Sequence, residues 1–241
     1  MPEAALVTGA ASGIGRAVAE RLVADGWDVL AVDVAPDADG PGEAFSADLS
    51  TRAGNRAAVD AALERCGRLD ALVPNAGFQH VSPLESFDED QWDALVALLL
   101  TSPFLLARYA WPALRDSGNG RIVVVASVHG LVASPFKAAK HGVLGLVKAL
   151  ALEGADAGIR ASAVCPGYVR TTLVEQQIAD QARAHGLPED RVVEDVLLAP
   201  QAIKRMLEPS EVADTVAYLL GPGGALFTGA PLVVDGGWTA R

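Results

Sequence analysis

Short apolar runs alternate along the whole chain with longer stretches in which apolar residues recur every three or four positions. The runs near residues 4–8, 29–33, 44–47, 71–74, 122–126, 160–165 and 231–234 predict strands. The periodic stretches near 14–24, 52–65, 89–115, 140–153 and 211–220 predict helices. Strands alternating with helices predict a seven-stranded parallel sheet flanked by helices, a doubly wound α/β fold. No linker, repeat or low-complexity segment divides the chain, so residues 1–241 are expected to form one domain. Residues 171–209 depart from the alternation, being long, charged and punctuated by Gly186, Pro188 and Pro200. That segment reads either as a lid over a site or as a rigid helical insertion, and the lid is the preferred expectation.

The sharpest change of character falls between Arg121 and Lys148. The apolar run from Ile122 to Ala126 ends in Ser127, His129, Ser134, Lys137, Lys140 and His141. A helical pattern then resumes through Val143, Leu144, Val147, Leu150 and Ala151. Polar groups at the carboxyl end of a buried strand mark the usual place for a site in an open α/β sheet. The only aromatic residue in this polar part is Phe136.

Composition narrows the partners. The net charge of −11, with no basic patch, argues against a nucleic-acid or anionic-membrane partner. Cys66 and Cys165 are isolated and lack metal-ligand spacing, so no metal site is expected and both read as reduced packing residues. The N-terminus enters strand-like sequence without a basic region, so no signal peptide is expected. The apolar stretch 94–107 is interrupted by Thr101, Ser102 and Pro103 and reads as too short to span a bilayer. A cytoplasmic, soluble protein is the expectation.

The first strand leads directly into Thr8-Gly9-Ala10-Ala11-Ser12-Gly13-Ile14-Gly15. Glycines here let the backbone turn tightly and approach a pyrophosphate, which then rests against the N-terminus of the next helix. Asp33, 18 positions beyond Gly15, ends the second strand, where a carboxylate can hold both ribose hydroxyls of an adenosine. The same carboxylate repels a 2′-phosphate, and no Arg or Lys follows within residues 34–43, so NAD is favoured over NADP. Asp48-Leu49 and Asn75-Ala76-Gly77 end the third and fourth strands, in reach of an adenine and of a cofactor ribose. Four such features at strand ends point together to a nucleotide.

With TGAASGIG, Asp33, DL at 48–49, NAG at 75–77, Ser127, Lys140, CPG at 165–167, VRT at 169–171 and DGG at 235–237, the chain resembles the short-chain dehydrogenase/reductase family over its whole length. Within it the chain is similar to the 3-hydroxybutyrate dehydrogenase group, through GFQHVSPLE at 77–85, ASVHGLVAS at 126–134, AAKHGVLGLVK at 138–148, CPGYVRTTLVEQQ at 165–177 and DGGWTAR at 235–241. The resemblance implies a Rossmann-type domain that interconverts a small 3-hydroxy acid, 3-hydroxybutyrate, and its 3-oxo acid, acetoacetate, with NAD. It also implies a homotetramer. Ser127 would hydrogen-bond the reacting oxygen, and Lys140 would hold the nicotinamide ribose and lower the pKa of a neighbouring tyrosine. Pro166, Gly167, Val169 and Thr171 would line the nicotinamide. Gln79, Ser127, His129, Lys137, Gln177 and Trp238 would hold the hydroxy acid, one cation with amide and imidazole donors suiting a carboxylate. A different small alcohol or ketone is the alternative if His129, Lys137, Gln177 and Trp238 do not converge.

Two departures stand out. The family takes the hydroxyl proton with a tyrosine four residues before the lysine, and that position here is Phe136. Because Ser134-Pro135-Phe136-Lys137 still matches the upstream side, alignment places a four-residue gap between Lys137 and Lys140. Either residues carrying the tyrosine belong there and are missing from the sequence as read, or the molecule lacks them and binds NAD without normal catalysis. The first is the expectation, because an otherwise intact substrate set would have no reason to remain. An unbroken helix there, together with an intact mass matching these 241 residues, would contradict it. The second departure is Leu99, which stands where the family often has a water-binding asparagine.

Overall fold

A computed structural model describes residues 1–80, 82–132 and 137–240. Ser134 and Phe136 therefore lie outside the described residues. Seven strands form one parallel sheet in the order β3-β2-β1-β4-β5-β6-β7. They are β1 (Ala4–Thr8), β2 (Asp28–Asp33), β3 (Glu43–Ser46), β4 (Ala71–Val73), β5 (Arg121–Val125), β6 (Arg160–Pro166) and β7 (Pro231–Val234). The helices are α1 (Gly13–Ala24), α2 (Arg52–Cys66), α3 (Glu89–Val96), α4 (Ser102–Asp116), α5 (Ala138–Gly154), α6 (Thr172–His185), α7 (Glu189–Val192) and α8 (Pro209–Leu220).

Period-two alternation sorts the strand residues between two cores. Leu6, Ile122 and Val124 face α2, α4 and α5, where Val59, Leu106, Leu114, Val143 and Val147 meet them. Val7, Val123 and Val125 face the other way, onto Val18 and Leu22 of α1 and Val212 and Val216 of α8. Burial on both faces explains why these strands read as continuous apolar runs. The segment from α6 to Met206 has a small core of its own, in which Ile178, Val192, Leu197, Leu198 and Met206 are buried.

The helix expected over 89–115 is interrupted. A wide π turn, Ala97–Thr101, separates α3 from α4. Pro103, in the first turn of α4, has no N–H to give the Leu99 carbonyl, which leaves the ladder open at that point. Residues 89–116 together are long and apolar enough, by length and composition alone, to cross a membrane. Leu105, Leu106, Ala110 and Leu114 of this run are buried in the core of the fold.

Candidate active site

Strand order reverses between β1 and β4, and a ligand cleft in such a sheet opens at the carboxyl ends of the strands flanking that point. A cleft of about 600 Å³ lies there. Its nucleotide end is built from backbone. Gly9 and Gly13 adopt positive φ, at 66° and 54°. A Cβ on Gly15 would sit 2.0 Å from the Gly9 carbonyl oxygen, so only glycine lets α1 start this close to the preceding turn. Ser12, the N-cap of α1, makes no side-chain cap, and the first turn of α1 carries no acid, leaving N–H groups for an anion. Thr8 Oγ1 accepts from the N–H groups of Asn75 (2.9 Å) and Ala76 (3.0 Å), locking the loop after β4 to the loop after β1.

The loop after β3 is held from beneath. Asn55, fully buried, donates to the carbonyls of Leu49 (2.7 Å) and Thr51 (2.6 Å) and accepts from Ser102 Oγ at 2.7 Å. Asp48 accepts from the Ser50 hydroxyl and N–H, which holds its carboxyl below the usual range. Asp33 lines the cleft and accepts from the N–H groups of Ala11 and Ala35, both at 3.2 Å. The nearby Arg16 is engaged elsewhere, by Asp37 at 2.6 Å and Glu20 at 3.0 Å.

At the other end, Ser127 Oγ accepts from the His129 N–H at 3.2 Å, which leaves its hydroxyl hydrogen to point at a ligand oxygen. A Cβ on Gly130 would lie 2.5 Å from the Lys140 carbonyl oxygen, so glycine brings the turn carrying Ser127 against α5. Lys140 Nζ donates to the Val125 carbonyl at 3.1 Å. Burial, with the positive charge of Lys137 adding to it, brings the Lys140 ammonium down to about 8. Burial likewise lowers Lys137, while burial and the two lysines drive His129 down to about 4. His129 Nδ1 is buried without a hydrogen-bond partner. Asp235 accepts from the N–H groups of Gly237 (2.9 Å) and Thr239 (2.7 Å), fixing the turn that carries Trp238. Trp238 stacks on Tyr168, with centroids 5.4 Å apart and planes 19° apart, and meets the edge of His129 at 5.3 Å.

Gly9, Ser12, Gly13, Ile14, Asp33, Asp48, Leu49, Asn75, Ala76, Gly77, Gln79, Ser127, His129, Lys137, Lys140, Pro166, Gly167, Val169 and Thr171 thus come to one cleft. Gly15 lies behind the wall, buried. Trp238 and Gln177 do not line the cleft; Trp238 reaches it through His129, and Gln177 hydrogen-bonds Tyr168. Tyr168 also stands beside His129 and Trp238, a place that depends on the fold joining β6, the turn after β5 and the C-terminal segment. Phe78, Leu98, Leu173 and Val174 also line the cleft and went unnoticed, because apolar residues carry no chemical signature in a sequence.

The backbone runs unbroken from Lys137 into α5, with the N–H groups of Lys140 (3.0 Å) and His141 (3.3 Å) bonded to the Lys137 carbonyl. The helix simply starts one turn before Lys140 with Lys137 as its cap. Leu99 is buried at the π turn, its Cδ2 only 2.7 Å from where a Gly77 Cβ would stand. An apolar group fills that corner.

Comparison with known proteins agrees with this architecture. The family model described as Enoyl-(Acyl carrier protein) reductase matches residues 9–239. The D-beta-hydroxybutyrate dehydrogenase of Rhizobium meliloti (strain 1021) is 40% identical over 258 aligned positions, covering 100% of both chains. Since the chain has 241 residues, it lacks residues that this relative has. The cyclohexanol dehydrogenase of Acinetobacter sp. (strain SE19) is 35% identical, covering 98% of this chain and 95% of that one. Among solved structures, a variant of actinorhodin polyketide ketoreductase with NADPH superposes with a TM-score of 0.92 at 34% identity, over 100% of this chain and 98% of that one. The chain belongs to the short-chain dehydrogenase/reductase family of oxidoreductases, whose members use nicotinamide cofactors.

Proposed function

We propose that this chain is an NAD-dependent oxidoreductase interconverting a small 3-hydroxy acid, 3-hydroxybutyrate, and its 3-oxo acid. The observation that carries the reading is the joining of Lys137, His129 and Gln79 with Ser127 and Lys140 at one end of the cleft whose other end is the glycine cradle. No carboxylate lines that substrate end among the described residues; Asp33 and Asp48 belong to the nucleotide end. A carboxylate ligand is therefore met by a cation and uncharged donors. Gly9, Ser12, Gly13, Ile14 and Gly15 would hold the pyrophosphate, Asp33 the adenosine ribose, Asp48 and Leu49 the adenine, and Asn75, Ala76, Gly77 and Lys140 the nicotinamide ribose. Pro166, Gly167, Val169 and Thr171 would line the nicotinamide, which when bound supplies the hydride acceptor. Ser127 donates to the reacting oxygen, and Lys137 anchors the substrate carboxylate. NAD is preferred because Asp33 disfavours a 2′-phosphate and Arg16 is already paired.

Residues 171–209 act as the lid in this reading, its own small core letting it move as a unit. The similarity to 3-hydroxybutyrate dehydrogenases extends the reading to a homotetramer in the cytoplasm. Incubation with NAD+ and each enantiomer of 3-hydroxybutyrate, followed by NADH absorbance, tests it; the expected result is turnover with one enantiomer. A second reading, oxidation of another small alcohol, is favoured by one observation: Gln177 and Trp238 stand outside the cleft lining. Turnover of cyclohexanol in preference to 3-hydroxybutyrate would select it.

A further inference from the structure

We propose that the neutral amine of Lys140 takes the substrate's hydroxyl proton in this chain, directly or through one water, in the role its relatives give to a tyrosine. The proposal rests on the oxidoreductase reading above. The alcohol's O–H bond breaks and its proton passes to Nζ, forming the ammonium. The C–H bond on the same carbon breaks, its electron pair leaving as hydride to the oxidised nicotinamide dinucleotide, and the carbinol becomes a carbonyl.

The neighbourhood of Nζ supports this. Lys140 lines the same cavity as Ser127 and His129, and the Val125 carbonyl is its hydrogen-bond acceptor. The titratable groups around it are Lys137 on its own helix, the Cys165 thiol on β6 and His129 on the turn after β5. None supplies a carboxylate counter-ion. A partly buried ammonium with no carboxylate beside it among the described residues gives up its proton readily, and burial brings Lys140 down to about 8, near working pH.

The alternatives are poorer acceptors. His129, at about 4, is a weak base and its Nδ1 is enclosed. Burial raises the Tyr168 phenol, which is tied to Gln177 and stands outside the cleft lining. Burial raises the Cys165 thiol as well. Lys137 would be kept protonated by the substrate carboxylate it pairs with, and its charge pushes Lys140 further toward the free amine.

The test compares the wild type with Lys140→Arg, whose guanidinium keeps donors and charge but does not deprotonate. For the wild type, kcat/KM for 3-hydroxybutyrate should rise about tenfold per pH unit and level off near pH 8. Lys140→Arg should lose about 100-fold or more in turnover. Lysine side-chain NMR of the cofactor-free wild type should show one amine titrating near 8 that is missing from the variant, a readout independent of turnover and of the variant's folding. A flat wild-type profile, a variant retaining turnover within about tenfold, or no lysine titrating below about pH 9 would each overturn the proposal while leaving the dehydrogenase reading intact. A wild type that binds NAD+ but oxidises neither 3-hydroxybutyrate nor cyclohexanol overturns both. Oxidation of cyclohexanol alone removes only the substrate assignment, and the same pH profile is then measured on that alcohol.

Discussion

The nucleotide end of the cleft is held by backbone, and the substrate end by side chains. Gly9, Gly13 and Gly15 shape the first by having no Cβ, and Thr8 and Asn55 tie its loops together through buried hydrogen bonds. The second depends on Ser127, His129, Lys137 and Lys140, with Leu99 apolar where relatives often place a polar group. The first end carries the whole glycine motif, whereas at the second Phe136 stands four residues before Lys140. Backbone cradles tolerate side-chain change and fail on loss of glycine, whereas side-chain chemistry depends on each group in turn.

The comparison sharpens most if the phenol is restored. Inserting a four-residue turn between Lys137 and Lys140, with tyrosine at its third position, should raise kcat about 100- to 10,000-fold, measured as NADH formation. No gain would mean that the substrate end is complete without it. At the opposite end, Gly15→Ala drives a Cβ into the Gly9 carbonyl and should cost up to about 3 kcal/mol, read from denaturant unfolding, and weaken NAD+ binding with it. Asp33→Ala removes a charged acceptor and should weaken NAD+ about 10- to 30-fold by titration calorimetry while sparing NADP+.

The smallest expected effect is one of pH on stability. Above about pH 6.5 His129 is neutral in both folded and unfolded chains. Below that, the unfolded chain binds a proton that the folded chain refuses until about pH 4, so this contribution to stability is lost as pH falls through that window. His129→Asn should therefore lose less stability than the wild type between those two pH values, measured by urea unfolding. Equal losses would mean that the imidazole is not held neutral by burial and the lysines.

Much of this is legible in the sequence. The strands are buried on both faces, so their apolar runs stand out, and most of the residues that motif spacing singles out come to the cleft lining. What escaped depends on contacts between distant segments. Ser102 and Asn55 are unremarkable alone, yet their bond joins α4 to α2 beneath the loop after β3. The stack of Trp238 on Tyr168 brings the C-terminus to the loop after β6, which spacing does not reveal. The π turn at Leu99 arises from a proline within a helical pattern whose period otherwise continues. At Lys137 the first turn of α5 closes on the Lys137 carbonyl, a local arrangement that motif spacing does not describe.

The central claim is that this cleft oxidises a small hydroxy acid with NAD although no tyrosine stands beside its lysine. Steady-state NADH formation by the wild-type chain at about pH 9, with NAD+ and each enantiomer of 3-hydroxybutyrate, tests it most directly, since the lysine is then mostly the free amine. The account predicts measurable turnover of one enantiomer, falling as pH is lowered below about 8. NAD+ binding with no turnover of either enantiomer at any pH would contradict it.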